Sequence, residues 1–183
     1  MPNTPQWIAE VLRFWFEETK PQQWFTRDEN LDAEIRRRFG ALHASLIEKV
    51  PATVTVTPLG ALATVIVLDQ FSRNLYRNSP RAFAADATAL AIAEEAITAG
   101  FDRELDTNQR MFLYMPYQHS EDKAVQARSM ELFAALGNAN SLDFARQHRD
   151  IIERFGRFPH RNRVLNRAST PEEIEFLKTH PGF

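Results

Sequence analysis

Between Arg146 and Arg167 the chain gathers the residues best suited to hold an anion. Residues 144–167 carry seven arginines against Asp150 and Glu153, an excess of about five positive charges in a chain of net charge −2. Of its 22 basic residues 18 are arginine and 4 lysine. Arginine presents a planar fork of donors that matches carboxylate and phosphate, whereas lysine is a hydrated point charge. If Gly156 ends a helix, residues 157–162 form a loop in which Arg157, His160, Arg161 and Asn162 converge on an anion. The same arginines could instead cap helix C-termini or pair with neighbouring acids. Inside the preceding helix, Arg146 with Asp150 and Arg149 with Glu153 have the spacing of exposed pairs.

Two further polar segments interrupt apolar surroundings. In residues 69–77, Asp69 faces Arg73 and Gln70 faces Asn74 at helical spacing, with Arg73 and Arg77 near a helix C-terminus. These groups read either as a buried ion pair that fixes packing or as one wall of a polar pocket. In residues 114–122, Pro116 is expected to break a helix, leaving Tyr114 at its end and His119, Ser120, Glu121 and Asp122 on a loop. Ser120 is the expected N-cap of the next helix. His119 then suits general acid or base work near neutrality, and a hydrogen-bonded structural role equally.

Several sharper assignments fail. The His148, Arg149, Asp150 triplet lies within a helix, and position 155 is phenylalanine where a kinase catalytic loop needs asparagine. No His-Glu-x-x-His or Gly-rich phosphate loop occurs, and without cysteine no thiolate site exists, so neither metal nor cofactor is expected.

Positioning these residues requires helices. Hydroxyl-proline pairs at Thr4-Pro5, Thr57-Pro58, Ser79-Pro80 and Thr170-Pro171 mark helix starts, with capping-box spacing at Thr170/Glu173 and Asp106/Gln109. Gly100, Gly137 and Gly156 mark ends. Eight helices are predicted, over 5–17, 32–48, 58–77, 84–99, 107–115, 120–136, 142–155 and 171–178. The third is apolar all round from Leu59 to Leu68 and should be enclosed. Residues 52–57 alternate like a strand but have no partner strand, and read as a loop. The expectation is a single all-α domain over 1–183.

No apolar run is long enough to cross a bilayer, and Met1 to Pro5 lacks the pattern of a secretory leader. The reading is cytoplasmic, monomeric or homodimeric, with no membrane and no nucleic-acid partner.

Four segments go beyond pattern: VLRFWF at 11–16 with WF at 24–25, LDQFSRNLYR at 68–77, YMPYQHSED at 114–122, and RFGRFPHRN at 154–162 followed by STPEE at 169–173. In this order they resemble the bacterial family catalogued as domain of unknown function 924, over nearly the whole chain. The resemblance implies a tetratricopeptide-like right-handed superhelix of antiparallel helix pairs and no established reaction. Ser72 stands where that pattern has proline and Asn166 where it has glycine, which puts local backbone shape in question.

Three functions follow as expectations. The first is a module that binds an anionic small molecule or acidic peptide group through Asp69, Arg73, Asn74, Arg77, Tyr114, His119, Glu121, Arg157, His160, Arg161 and Asn162. The second is a hydrolase or lyase, with His119 or His160 as acid or base, Glu121 or Asp122 orienting it, and Arg73 or Arg157 stabilising negative charge. The third is a helical scaffold with Trp7, Trp15 and Trp24 among its interface anchors.

Overall fold

The computed structural model describes residues 4–182, so most of the leader reading at Met1 to Pro5 lies outside it. Among the described residues there are eight helices and no strand. Helix α1 runs over Gln6–Arg13 and widens into π-helical turns at Phe14–Glu18. There the Thr19 N–H reaches back five residues to the Phe14 carbonyl at 2.9 Å, and the Thr19 hydroxyl donates to the same oxygen. Helix α2 covers Glu29–Glu48. Helix α3 is continuous through Pro58–Val65, the wide turns of Ile66–Phe71, and Ser72–Leu75. The remaining helices are α4 (Asp86–Thr98), α5 (Thr107–His119), α6 (Lys123–Ala135), α7 (Ala139–Phe155) and α8 (Pro171–Leu177).

The caps explain most of these boundaries. Thr57 accepts the Gly60 N–H, and Thr170 with Glu173 forms the expected reciprocal box. Asp106 and Gln109 bond each other's backbone in the same way. Gly100, Gly137 and Gly156 all adopt the left-handed conformation at helix ends or turns. Three expectations need correcting. Thr4 caps nothing: α1 starts at Gln6 with Pro5 at the cap position and no side-chain bond. Pro116 lies inside α5 rather than ending it. Every residue from Met111 to Gln118 is buried, and that burial outweighs the donor the proline removes. Finally, Asp122 rather than Ser120 caps α6, because its carboxylate accepts two backbone N–H groups, those of Ala124 and Val125.

The chain divides into two units. The first comprises Met1–Arg77 and Arg81–Pro116, the second Asn78–Pro80 and Tyr117–Phe183. In the first, α3 is the buried centre: Ala61 to Ser72 are all buried. Phe71 packs edge-on to Phe14 and Trp15, and Trp15 to Phe112. Trp15 is 1% exposed and belongs to the core, while its half-buried neighbour Trp24 lies edge-on to the same Phe112 ring. Gly60 permits the chain to fold back at the start of α3, since a Cβ there would come within 1.9 Å of the Val54 carbonyl oxygen. In the second unit, α6 and α7 pack along each other and bury Phe133, Ala145 and Ile152. No helix among the described residues is long and apolar enough to cross a membrane.

Candidate functional site

The first polar segment belongs to the first unit. The wide turns of α3 carry Asp69 and Gln70 into the interior, where Asp69 is fully buried. Arg73 meets it at 3.2 Å, as spacing predicted, and forks onto Asp86 at 3.0 and 3.1 Å. Gln70 bonds Asp69 rather than Asn74, because Asn74 instead donates to Asp32 at 2.8 Å. Arg77 closes on the same Asp32 carboxylate through two nitrogens. Tyr114 donates to Asp102 at 2.7 Å. Asp32 and Asp86, which organise this network, escaped sequence reasoning because each lies on another helix. Ser72 is tied into the interior: its hydroxyl donates to the Leu68 carbonyl at 2.5 Å and accepts from His43 Nε2 at 2.8 Å.

Residues 117–122 and 144–167 belong to the second unit, where two glutamates organise a loop. Glu121 sits just before α6 and accepts from both Arg167 Nη atoms, at 2.6 and 2.9 Å, and from the Phe158 N–H at 2.8 Å. Burial alone would raise its carboxyl, but these donors outweigh burial and hold it below the usual range. Glu173, in the first turn of α8, is 2% exposed. It takes Arg157 Nε at 2.7 Å, an Arg157 Nη at 2.9 Å, and the Thr170 N–H at 2.7 Å. The Arg157 guanidinium, acting against the cost of burial, brings the Glu173 pKa down to about 2. Asn162 is 1% exposed and joins both systems, since its Oδ1 accepts from Arg167 while its Nδ2 donates to Glu173 and Ser169. Asn166 holds φ at 53°, the left-handed conformation that glycine takes most readily and asparagine tolerates.

These bonds hold residues 157–170 together, and they redistribute the predicted roles. The helical pairs Arg146–Asp150 and Arg149–Glu153 do not form. Arg146 turns to Asp143, Arg149 to its neighbour Asp150, and Glu153 to Lys123. Arg154 reaches Glu172. Arg161 is buried with its guanidinium 4.5 Å from the centre of the Phe158 ring. Arg163 alone of the seven is exposed with no carboxylate or ring partner among the described residues.

Arg163 borders a depression of about 380 Å³. Its polar rim is Asn78, His160, Arg163 and Ser169, and its apolar wall is Pro159, Val164, Leu177 and Pro181. His160 is set by its neighbours: the Phe158 ring lies 5.6 Å away, and the backbone at Gly182 passes so close that a Cβ would stand 3.1 Å from His160 Cγ.

His119 faces His148 at 6.1 Å, and His148 packs edge-on to Phe158 at 5.6 Å. His148 Nδ1 lies 2.8 Å from the Phe144 carbonyl, an acceptor, so the proton of the neutral ring sits on Nδ1. Burial, then the proximity of His119, pushes its pKa down to about 3. The carboxylates that a histidine-based reaction would use are committed elsewhere, Glu121 to Arg167 and Phe158, Asp122 to the start of α6. No cluster of three metal-ligating side chains occurs among the described residues.

With this geometry in place the relatives can be compared. The profile of a family described as bacterial protein of unknown function (DUF924) matches residues 11–181. The chain belongs to that family. A solved structure of a protein of unknown function from Agrobacterium tumefaciens is similar to it at 37% identity and a TM-score of 0.91, covering 95% of this chain and 98% of that one. No curated protein matches. The DUF924 relationship therefore fixes the fold and carries no reaction with it, and the chemistry has to be argued from the side chains.

Proposed function

We propose that this DUF924 protein is a binding module for an anionic small molecule or the acidic end of a peptide, received in the depression beside Arg163. One observation carries the reading. Of seven arginines between residues 144 and 167, five are held by carboxylates and Arg161 lies on Phe158, while Arg163 stands exposed at the rim of a depression with His160 and Ser169. A guanidinium without a carboxylate partner among the described residues, beside a preorganised loop, is a ready partner for a carboxylate or phosphate oxygen. The pairings of Arg157, Asn162 and Glu121 assign them to building that loop, so in this reading His160 and Arg163 face the ligand. The zero cysteine count fits a cytoplasmic setting. The tetratricopeptide-like arrangement implied by the sequence resemblance suits a module of this kind.

Calorimetric titration of the whole protein with benzoate and with inorganic phosphate tests the proposal. Saturable binding of either anion, weakened at least about tenfold in Arg163→Gln, is the expected result, since a charge-assisted hydrogen bond is worth about 1.5–3 kcal/mol. Equal binding by wild type and R163Q, or no binding of either anion, would overturn it.

A further inference from the structure

The geometry points to a singly charged carboxylate on an apolar body as the ligand class of the depression, an inference that rests on the binding reading above. Three features select it over phosphate.

The first is charge. The carboxylates of Glu173 and Glu121 already neutralise Arg157 and Arg167. Among the described residues that leaves the rim with one guanidinium that no carboxylate pairs, Arg163. A phosphate carries nearly two negative charges and three acceptor oxygens near neutrality, and is served by clustered arginines or by a run of backbone N–H groups. A carboxylate matches one guanidinium fork.

The second is the donor set. Asn162 is oriented by Arg167, which donates to its Oδ1 at 3.0 Å, so its Nδ2 donates to Ser169 Oγ at 3.1 Å. Ser169 Oγ therefore acts as acceptor toward Asn162, and its own hydrogen remains to donate at the rim. Arg163 and Ser169 together offer the donors that two carboxylate oxygens require.

The third is the wall. Val164, Leu177 and Pro181 give the depression an apolar side that a bare anion leaves unfilled. A volume of about 380 Å³ lies at the small end of ligand sites, enough for a short acyl or aromatic body or one apolar residue at a peptide end. A free organic acid and a peptide C-terminus share this chemistry.

Titrating the full protein with acetate, butyrate, hexanoate, hexanamide and inorganic phosphate decides the matter. Hexanoate should bind at least about tenfold tighter than acetate, as added methylenes reach the wall at up to roughly fourfold each. R163Q should lose hexanoate by at least about tenfold, and hexanamide should fail to bind. Val164→Ser should weaken hexanoate several-fold and leave acetate unchanged. A leucine-ended tetrapeptide, free or amidated at its C-terminus, separates the two sources. Tighter binding of the free peptide than of hexanoate assigns a peptide end, and the reverse order a free acid, either in keeping with the inference. Arg163-dependent binding of phosphate, with hexanoate no tighter than acetate, overturns the carboxylate assignment and leaves the anion-binding reading standing. Failure of every probe removes both.

Discussion

Arg157 and Glu173 form a two-pronged ion pair across 16 residues of chain, with Nε to Oε1 at 2.7 Å and an Nη to Oε2 at 2.9 Å. Glu173 also closes the capping box of α8, and Arg157 further donates to the Ala168 carbonyl. One carboxylate thus ties the loop, the helix start and Asn162 together. Removing a single partner strands the other, which costs more than the pair is worth. Glu173→Ala should lower stability by about 3 kcal/mol, read as a shift in the urea midpoint at constant slope. A loss within about 0.5 kcal/mol, the range of ordinary surface substitutions, would show that the pair does not hold the loop.

That pair also separates scaffold from ligand contact. Arg157→Gln should lower the thermal midpoint by several degrees, because it leaves Glu173 buried and unmatched. Arg163→Gln, at an exposed position with no partner among the described residues, should leave the midpoint unchanged while weakening anion binding at least about tenfold. Differential scanning fluorimetry of both variants, with and without hexanoate, checks the contrast. A large destabilisation in R163Q would place Arg163 among the scaffold residues.

How far the sequence displayed this arrangement follows from the range of each interaction. Caps act over three residues, so Thr57, Asp106 with Gln109, and Thr170 with Glu173 were all legible. So was the enclosed stretch of α3, since an apolar run needs no knowledge of its neighbours. Pro116 was misread because a proline reports a local penalty, whereas the burial that overrides it comes from surrounding elements. The arginines show the same divide. Asp69 with Arg73 lies four apart and was found, but Arg77 with Asp32 and Arg167 with Glu121 are 45 and 46 residues apart and were not. Arg163 became visible only by subtraction, once its six companions had been accounted for.

Acid sensitivity should centre on His148. Its pKa of about 3 in the folded protein, against about 6.5 when unfolded, means that between these values only the unfolded chain binds the proton. Its contribution is therefore fully present above about pH 6.5 and is lost as pH falls toward 3, by at most ~1.4 kcal/mol per pH unit. His43, pushed down by burial and by the nearby Arg81 charge, acts in the same direction. Glu173 adds a second loss below about pH 4.5, where the unfolded carboxyl starts to take a proton that the paired one refuses until about 2. Urea midpoints from pH 7 down to pH 4.5 should fall steadily in the wild type. They should fall less steeply in His148→Phe, which keeps a ring against Phe158 and removes the titrating nitrogen. An identical slope in the variant would remove His148 from the explanation.

Gly60 offers a test of the framework that carries the first unit's polar network. It sits in the first turn of α3, where its N–H is capped by Thr57 at 3.2 Å and the Val54 carbonyl passes over its Cα. A methyl group placed there would stand 1.9 Å from that backbone oxygen and 2.8 Å from Thr57 Oγ1. Neither atom lies at the end of a flexible side chain, so relief requires residues 54–57 to move and the cap to open. Alanine at this position carries a helix-propensity gain of about 1 kcal/mol. Against it stand the overpacking cost of 1–3 kcal/mol or more and the lost cap, about 1 kcal/mol. Gly60→Ala should accordingly destabilise the protein by roughly 1–3 kcal/mol, whereas Gly40→Ala, with open space around its Cβ position in α2, should stabilise it by up to about 1 kcal/mol. Because both substitutions are chemically identical and both lie in helices, opposite signs in a chemical denaturation experiment isolate the close approach at Val54 as the cause, and equal effects would eliminate it.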